Sequence, residues 1–526
     1  MTATALPRIA PGREDIYRAR YLIAFVVTLA SVLELVDTSI VNVAIPHMMG
    51  TLGATLDEIA WVSTGYIVAN VIILPLTSWL SDRFGRRNYY TGSVILFTVA
   101  SFFCGHAHTL QSLVTWRIIQ GLGGGALIST AQAILFDVFP IEERGVSQAI
   151  FGMGVMVGPT LGPTLGGWLT ENFGWPMIFY INLPLGALAA IGTWSKVPEP
   201  QHQVARTDHV DWLGLALLIV GVGSLQVMLE RGERHDWFAS REIVVEAVMA
   251  AGGLILFVWH ELRADHPVVN LRILGNRQLG AGVAFGAILG FALYASVFAL
   301  PVYLQTLLGF TAWDTGKVIF PGAIASAATM AFSARLAQRV DVRPMISFGA
   351  VLFLTSMWMC AHFTTQTGMN DTLLPMILRG VGLGLIFVPL TNVAVADLHP
   401  ALIPQGTGLF NLSRQLGGSA GIAIVATLIT RFSEQGRTAL VSHVTMDDPA
   451  TRAWLFGVTR RMQQLGGTLA EAQLKAERVL DRVISGQAAM LAYEKIFLMM
   501  GLVLMGSCVM LFAFRTGRTA GSGGAH

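Results

Sequence analysis

Apolar runs of roughly 20 residues recur from Tyr21 to Phe514, divided by shorter polar segments. Wound as a helix, each run crosses a hydrocarbon layer of ~30 Å, so the pattern predicts membrane spans and not a water-soluble core. The predicted spans are Tyr21 to Ile45, Ile59 to Leu80, Tyr89 to Gly105, Leu113 to Phe136, Ser147 to Thr170 and Met177 to Trp194; then Trp212 to Leu229 and Ile243 to His260. A last block follows at Leu279 to Tyr303, Thr315 to Ala337, Met345 to Phe363, Leu373 to Ala396, Gly408 to Phe432 and Met490 to Phe514. The middle pair reads as an insert, because a polar linker around Pro198 to Asp211 precedes it and the polar turn Glu230 to Arg241 divides it. The expected fold is an all-α integral membrane protein of about fourteen spans, with six-helix bundles at residues 1–200 and 276–526 and a two-helix insert at 201–275.

One segment breaks the compact pattern. Ser433 to Gln487, between the last two spans, carries helical rows at Trp454, Leu455, Val458, Met462 and Leu465, then at Leu469, Leu474, Val479 and Val483. It predicts an amphipathic helical hairpin on the outer side, a gate cover or docking surface, with a solvated loop as the alternative.

Composition agrees with the spans. Apolar residues make up 53% of the chain and charged ones 13%, with a mean hydropathy of +0.60, where soluble domains carry roughly 25% charged residues. Arg83, Arg86, Arg87, Arg144, Lys196, Arg206, Arg263, Arg272, Arg277, Arg335, Arg339 and Arg343 fall in alternate short loops; the opposite loops are nearly bare, apart from the turn with Arg231, Arg234 and Arg241. The positive-inside rule therefore places both termini in the cytoplasm. A net charge of +2 without a basic stripe interleaved with aromatics excludes a nucleic-acid surface. Cys104, Cys360 and Cys508 lie inside apolar runs, without disulfide or metal-ligand spacing, so no metal site is expected. The chain has no H-E-x-x-H, G-x-S-x-G or phosphate loop, which argues against an enzyme.

The two blocks repeat each other. Leu80-Ser-Asp-Arg-Phe-Gly-Arg-Arg87 follows the second span, and Leu336-Ala-Gln-Arg-Val-Asp-Val-Arg343 follows its counterpart; Arg117 with Gly121, Gly123 and Gly125 is echoed by Arg379 with Gly380, Gly382 and Gly384. Parallel repeats of this kind enclose a central cavity, with substrate handled near the bilayer midplane.

Four motifs stand in order: Val36-Asp-Thr-Ser-Ile-Val-Asn-Val-Ala-Ile-Pro46, Ser78-Trp-Leu-Ser-Asp-Arg-Phe-Gly-Arg-Arg87, Arg117-Ile-Ile-Gln-Gly-Leu-Gly123, and Gly154-Val-Met-Val-Gly-Pro-Thr-Leu-Gly-Pro163 continuing to Gly166 and Gly167. Together they resemble the fourteen-helix drug:proton antiporter branch of the major facilitator superfamily, the EmrB/QacA-like exporters, over nearly the whole chain. Ser78, where that family's loop motif opens with glycine, is a small-for-small departure. The resemblance implies proton-driven export of amphipathic toxic compounds across the cytoplasmic membrane, with no cofactor. It gives Arg117 a role in proton transfer, makes Asp82, Arg83, Gly85, Arg86 and Arg87 a cytoplasmic gate, and makes Gly154, Gly158, Pro159, Gly162, Pro163, Gly166 and Gly167 an antiporter motif whose tight packing between halves suppresses leak. EmrB-type members also work with a periplasmic adaptor and an outer-membrane channel, so the 433–487 segment could meet such a partner. An exporter dedicated to one endogenous metabolite, siderophore or lipid is the alternative.

The residues supply physical reasons of their own. Asp37 lies well inside the first span, where an ionised carboxylate costs several kcal/mol unless it is paired or solvated. It reads as a proton site, with a structural hydrogen bond as the bland alternative, and Glu34, one turn earlier, is a second candidate. Arg117 could bias the Asp37 carboxyl as helices shift, or could simply be satisfied by backbone carbonyls. Asp82 and Arg86, four apart, are expected to meet on one helix surface, with Asp137 as a second carboxylate for the same arginine. Asn42, Trp61, Tyr66, Asn70, Tyr303, Gln305, Arg379, Phe387, Asn392 and Asn411 are candidates for the cavity wall, suited to flat, apolar, often cationic molecules.

Overall fold

The computed structural model describes residues 14–140, 143–198, 211–265, 267–337, 339–466 and 468–514, so Arg206 and most of the predicted linker lie outside the described residues. The chain folds into α1 (Glu14–Leu52), α2 (Leu56–Phe84), α3 (Arg86–Gly105), α4 (Leu110–Val138), α5 (Arg144–Phe173), the short α6 (Met177–Tyr180) and α7 (Asn182–Lys196). The insert is α8 (Trp212–Arg231) and α9 (Arg241–Glu261). The second block is α10 (Arg277–Thr306), α11 (Ala312–Leu336), α12 (Val342–Ala361), α13 (Met369–Ala396), α14 (Ile403–Val441), α15 (Pro449–Gln464) and α16 (Leu469–Gly506).

Twelve described segments are long and apolar enough to cross a membrane, α6 and α7 counting as one. Packing speaks for two more. Helix α3, 20 residues long, returns beside α4, its Arg86 meeting Asp137 at the far end of that helix. Helix α5 runs parallel to α1, with Gly154 against Thr28 at one end of the contact and Gly167 near Val43 at the other.

The halves are packed alike. Helix α1 lies on α5, α2 on α4 and α3 on α4; the second block repeats this with α10 on α14, α11 on α13 and α12 on α13. Large apolar side chains such as Ile191, Val248, Ile255 and Phe332 are exposed on the rim, as lipid-facing positions should be. The described chain ends lie at the arginine-rich face: Tyr17 donates to Glu143 beside Arg144, and Arg343 donates to the Phe514 carbonyl.

The halves meet at that same cytoplasmic face. Gly145 of α5 packs on Ala334 of α11, Gly408 of α14 approaches Leu74 of α2, and Phe136 joins Val395 and Ile403 in one apolar cluster. The insert lies across the seam, because Leu218 and Val222 of α8 share a core with Val71 of α2 and Leu409 of α14. Hydrogen bonds from Gln226 to Ser419 (2.9 Å) and from Trp237 to Thr427 (2.8 Å) tie the insert to α14.

Two expectations need correction. The glycine strip of α5 does not face the other half: Gly154, Gly158, Gly162 and Gly166 lie against Thr28, Leu35, Ser39 and Ile40 of α1. Inter-half packing on α5 falls instead to Gly145 and to Gly152, which touches Met330 and Phe387. The side chain of Pro159 lies outside the described residues, and α5 continues as one helix past Pro163.

The second concerns the span ends at Phe432 and Met490. Nothing in the polar sequence breaks a helix there, so α14 and α16 run on as helices of 39 and 38 residues. Thr468 and Glu471 cap the start of α16 reciprocally. The outer hairpin is therefore an extension of the last two spans with α15 packed beside it, and its small Ala472 and Ala476 are buried while Phe456, Leu465, Leu469, Leu474 and Val483 are exposed.

A Cβ at position 162 would collide with Ser39. We expect Gly162→Val to destabilise the purified protein by about 1–3 kcal/mol. A melting temperature equal to that of the parent would show that α1 and α5 can separate freely.

Candidate functional site

Asp37 of α1 and Arg117 of α4 form an ion pair of 2.5 Å that is almost wholly buried. The second carboxylate oxygen, Oδ1, accepts hydrogen bonds from Gln120 Nε2 (3.0 Å) and Asn182 Nδ2 (2.9 Å). Arg117 donates through Nε to the Val62 carbonyl of α2 (3.0 Å) and through Nη1 to Gln120 Oε1 (2.8 Å), and its guanidinium lies 4.1 Å from the centre of the Tyr66 ring. Asn182 also donates to Ser101 of α3 (3.0 Å). One carboxylate thus gathers α1, α2, α3, α4 and α7. Asn182 stands at the start of α7, within the single span Met177–Lys196, and its amide reaches Asp37.

Burying a carboxylate and a guanidinium costs several kcal/mol per ion, and attraction offsets this only when the remaining donors and acceptors are filled. Here most of them are. Chemically, the arrangement holds a charge-paired carboxylate in a dry setting inside the first half.

Glu34 forms a second centre. Its Oε1 accepts from Asn70 Nδ2 at 2.8 Å, while Oε2 is buried without a hydrogen-bond partner. It faces a narrow cleft lined from the opposite half by Asn411, Arg414 and Gln415. Buried Arg414 donates to the Tyr294 hydroxyl and to Asn411 Oδ1, each at 3.2 Å, and Asn411 donates across the seam to Gln132 of α4 at 2.8 Å.

At the cytoplasmic face, Gly85 has φ +85°, a conformation that side chains rarely adopt, and the chain turns there from α2 into α3. The chain turns between Asp82 and Arg86, and Arg86 still lies near enough to Asp82 for the two charges to attract, while it also reaches Asp137 of α4 at 3.4 Å.

The Major Facilitator Superfamily profile matches residues 27–422. The chain belongs to the major facilitator superfamily. It is 32% identical to the multidrug export protein EmrB of Escherichia coli, over 96% of this chain and 98% of that one. It is 33% identical to the fatty acid resistance protein FarB of Neisseria gonorrhoeae, over 89% and 91% respectively. Among solved structures, the human organic anion transporter MFSD10 (TETRAN) shares the fold, with a TM-score of 0.57 at 14% identity over 92% of this chain and 99% of that chain.

For a superfamily member the candidate cavity residues scatter. Tyr66 and Asn70 belong to the two carboxylate centres described above, whereas Phe387 and Asn411 lie at the seam. Trp61 sits under Arg231 of the insert, 5.1 Å from ring centre to guanidinium, and Asn42 accepts from Ser63 at the exposed outer end of α1. Tyr303 is not at the cavity: it packs with Phe363, Tyr493 and Phe497 inside the second half. Gln305 is exposed, and Asn392 is half-buried with an unpartnered Oδ1.

Arg379 is also displaced from its expected equivalence. Gly121 and Gly380 touch the backbones of α2 and α11, Gly123 and Gly382 those of α3 and α12, and Gly125 and Gly384 again those of α2 and α11. Matching these glycines puts Arg379 level with Gln120, about one turn from the place of Arg117. Asn182, Ser101 and Arg414 were overlooked in the sequence. For Arg414 the signal was available, since a lone arginine within an apolar span marks a functional position by default.

Removing either partner of the Asp37–Arg117 pair leaves an uncompensated buried group, so Asp37→Asn or Arg117→Gln should each cost about 3–5 kcal/mol. The double variant should lose clearly less than the sum. Thermal melting of the three purified proteins checks this, and strict additivity would show that the groups do not interact.

Proposed function

We propose that this protein is a proton-coupled antiporter that exports amphipathic toxic compounds across the cytoplasmic membrane, driven by the proton gradient without a cofactor. The observation that carries the reading is the dry Asp37–Arg117 pair inside a two-half transporter fold. A proton arriving on Asp37 removes the charge that holds Arg117, and the helices gathered at that carboxylate are then free to shift. Return of Arg117 expels the proton. Glu34, facing Arg414 across the seam, is a second proton-carrying position in the same cycle. With the cytoplasmic ends of the halves in contact, proton entry from outside is the step this conformation serves. The named activities of the relatives, multidrug export and fatty acid resistance, support a toxic amphipathic cargo.

The Arg86–Asp137 contact acts in this scheme as part of the cytoplasmic latch, with Asp82, Arg83 and Arg87 around it. The exposed apolar row from Phe456 to Val483 on the outer helical extension supports docking of a periplasmic adaptor leading to an outer-membrane channel.

In everted vesicles under an imposed proton gradient, uptake of several unrelated dyes and antibiotics should collapse on adding an uncoupler and need no ATP. Asp37→Asn should lower gradient-driven uptake at least tenfold while assembled protein persists in the membrane; unimpaired coupling in that variant would sink the proton role. Uptake of a single compound from the panel would favour the dedicated exporter. Replacing Phe456, Leu465 and Leu474 with serine should abolish cellular resistance yet spare vesicle uptake, and equal loss of both would refute the docking role.

A further inference from the structure

The second half holds buried guanidinium groups without acids to match them. Its spans carry Asp314 and Asp371 near helix starts at the outer face and the exposed Glu494 in α16. No acidic residue stands in the interior stretches of α10, α13 or α14. Arg414 at least looks across the cleft to Glu34. Arg379 does not: it is 7% exposed, donates through Nη1 to the Ser296 hydroxyl of α10 at 3.3 Å, and has an unpartnered Nε.

The internal repeat supplies a control. In the first half the side chain level with Arg379, Gln120, bonds a carboxylate on the central helix α1. In the second half the cation occupies that level, and the group it meets on α10 is a hydroxyl. An ion of this kind is costly to hold in a membrane interior, which calls for a counter-ion that arrives from elsewhere.

The place for it is next to the arginine. A cavity of about 30 Å³ is lined by Arg379 and Ser326, with Tyr294, Leu293 and Leu383 beside them and Val155 from the first half closing it. The Ser326 hydroxyl is buried and, like Arg379 Nε, has no partner. These groups and a void of this size suit a small anionic head such as a carboxylate, set among apolar side chains. We infer that Arg379 and Ser326 form the head-group subsite for an amphipathic organic anion, which makes apolar acids, not lipophilic cations, the preferred cargo. This rests on the export reading given above and specifies its substrate class.

The test compares three probes of one chain length, dodecyl sulfonate, dodecanol and dodecyltrimethylammonium, by equilibrium binding to the full-length protein in nanodiscs. The parent should bind the sulfonate at least tenfold more tightly than the cation. Arg379→Gln should erase that preference and Arg379→Lys should keep most of it. Ser326→Asp, which supplies the missing carboxylate in place, should abolish sulfonate binding, and this variant decides the matter if Arg379→Gln does not assemble. A parent that binds the cation as well as the sulfonate, or variants that keep the parental preference, would overturn the inference. Gradient-driven export of the dye panel is measured alongside. Export that persists without anion preference removes this subsite alone, whereas anion preference without gradient-driven export removes the antiporter reading and leaves the subsite standing.

Discussion

A membrane interior cannot solvate an ionised carboxylate, and the first half of this protein is organised around that constraint. Asp37 is held by Arg117, Gln120 and Asn182, and through them by the Val62 carbonyl and Ser101. Each of these partners sits on a different helix or turn of helix, so satisfying one buried charge fixes the mutual positions of several spans. On the antiporter reading proposed above, a proton on this carboxyl is what releases the arrangement.

Close packing elsewhere supports this centre without sharing its chemistry. The glycines of α5 let α1 approach closely enough for Asp37 to be sealed, a role inside one half. Contact between halves is made by α2, α4 and α5 on one side and α11, α13 and α14 on the other, where Gly145 and Gly152 make room for Ala334, Met330 and Phe387. Packing within the half and packing between the halves are therefore carried by different residues of the same helix. The insert adds a third element: lying on both α2 and α14, it bridges the halves through Val71 and Leu409.

The repeats are alike in helix packing and unlike in charge. The first half neutralises its central arginine internally, while the second keeps Arg379 and Arg414 without acids of its own. In transporters built from parallel repeats the common architecture supplies the cavity, and the differences between halves decide what each wall does. Here one wall carries a carboxylate paired with its arginine and the other an arginine met only by a hydroxyl.

Much of this was legible in the sequence, because the bilayer imposes one-dimensional rules. Span length, the arginines of alternate loops and the order of the four motifs fixed the fold class and singled out Asp37, Glu34 and Arg117 without any knowledge of contacts. What failed depends on three-dimensional proximity. The α5 strip turns to α1, Arg379 sits level with Gln120, and Tyr303 points into aromatic packing. Spacing along a helix says which side chains share a face, but not which neighbour that face meets. Asn182 shows the limit plainly: nothing in its local sequence reveals a carboxylate 145 positions away, and only the packing of α7 on α1 brings the two within 2.9 Å.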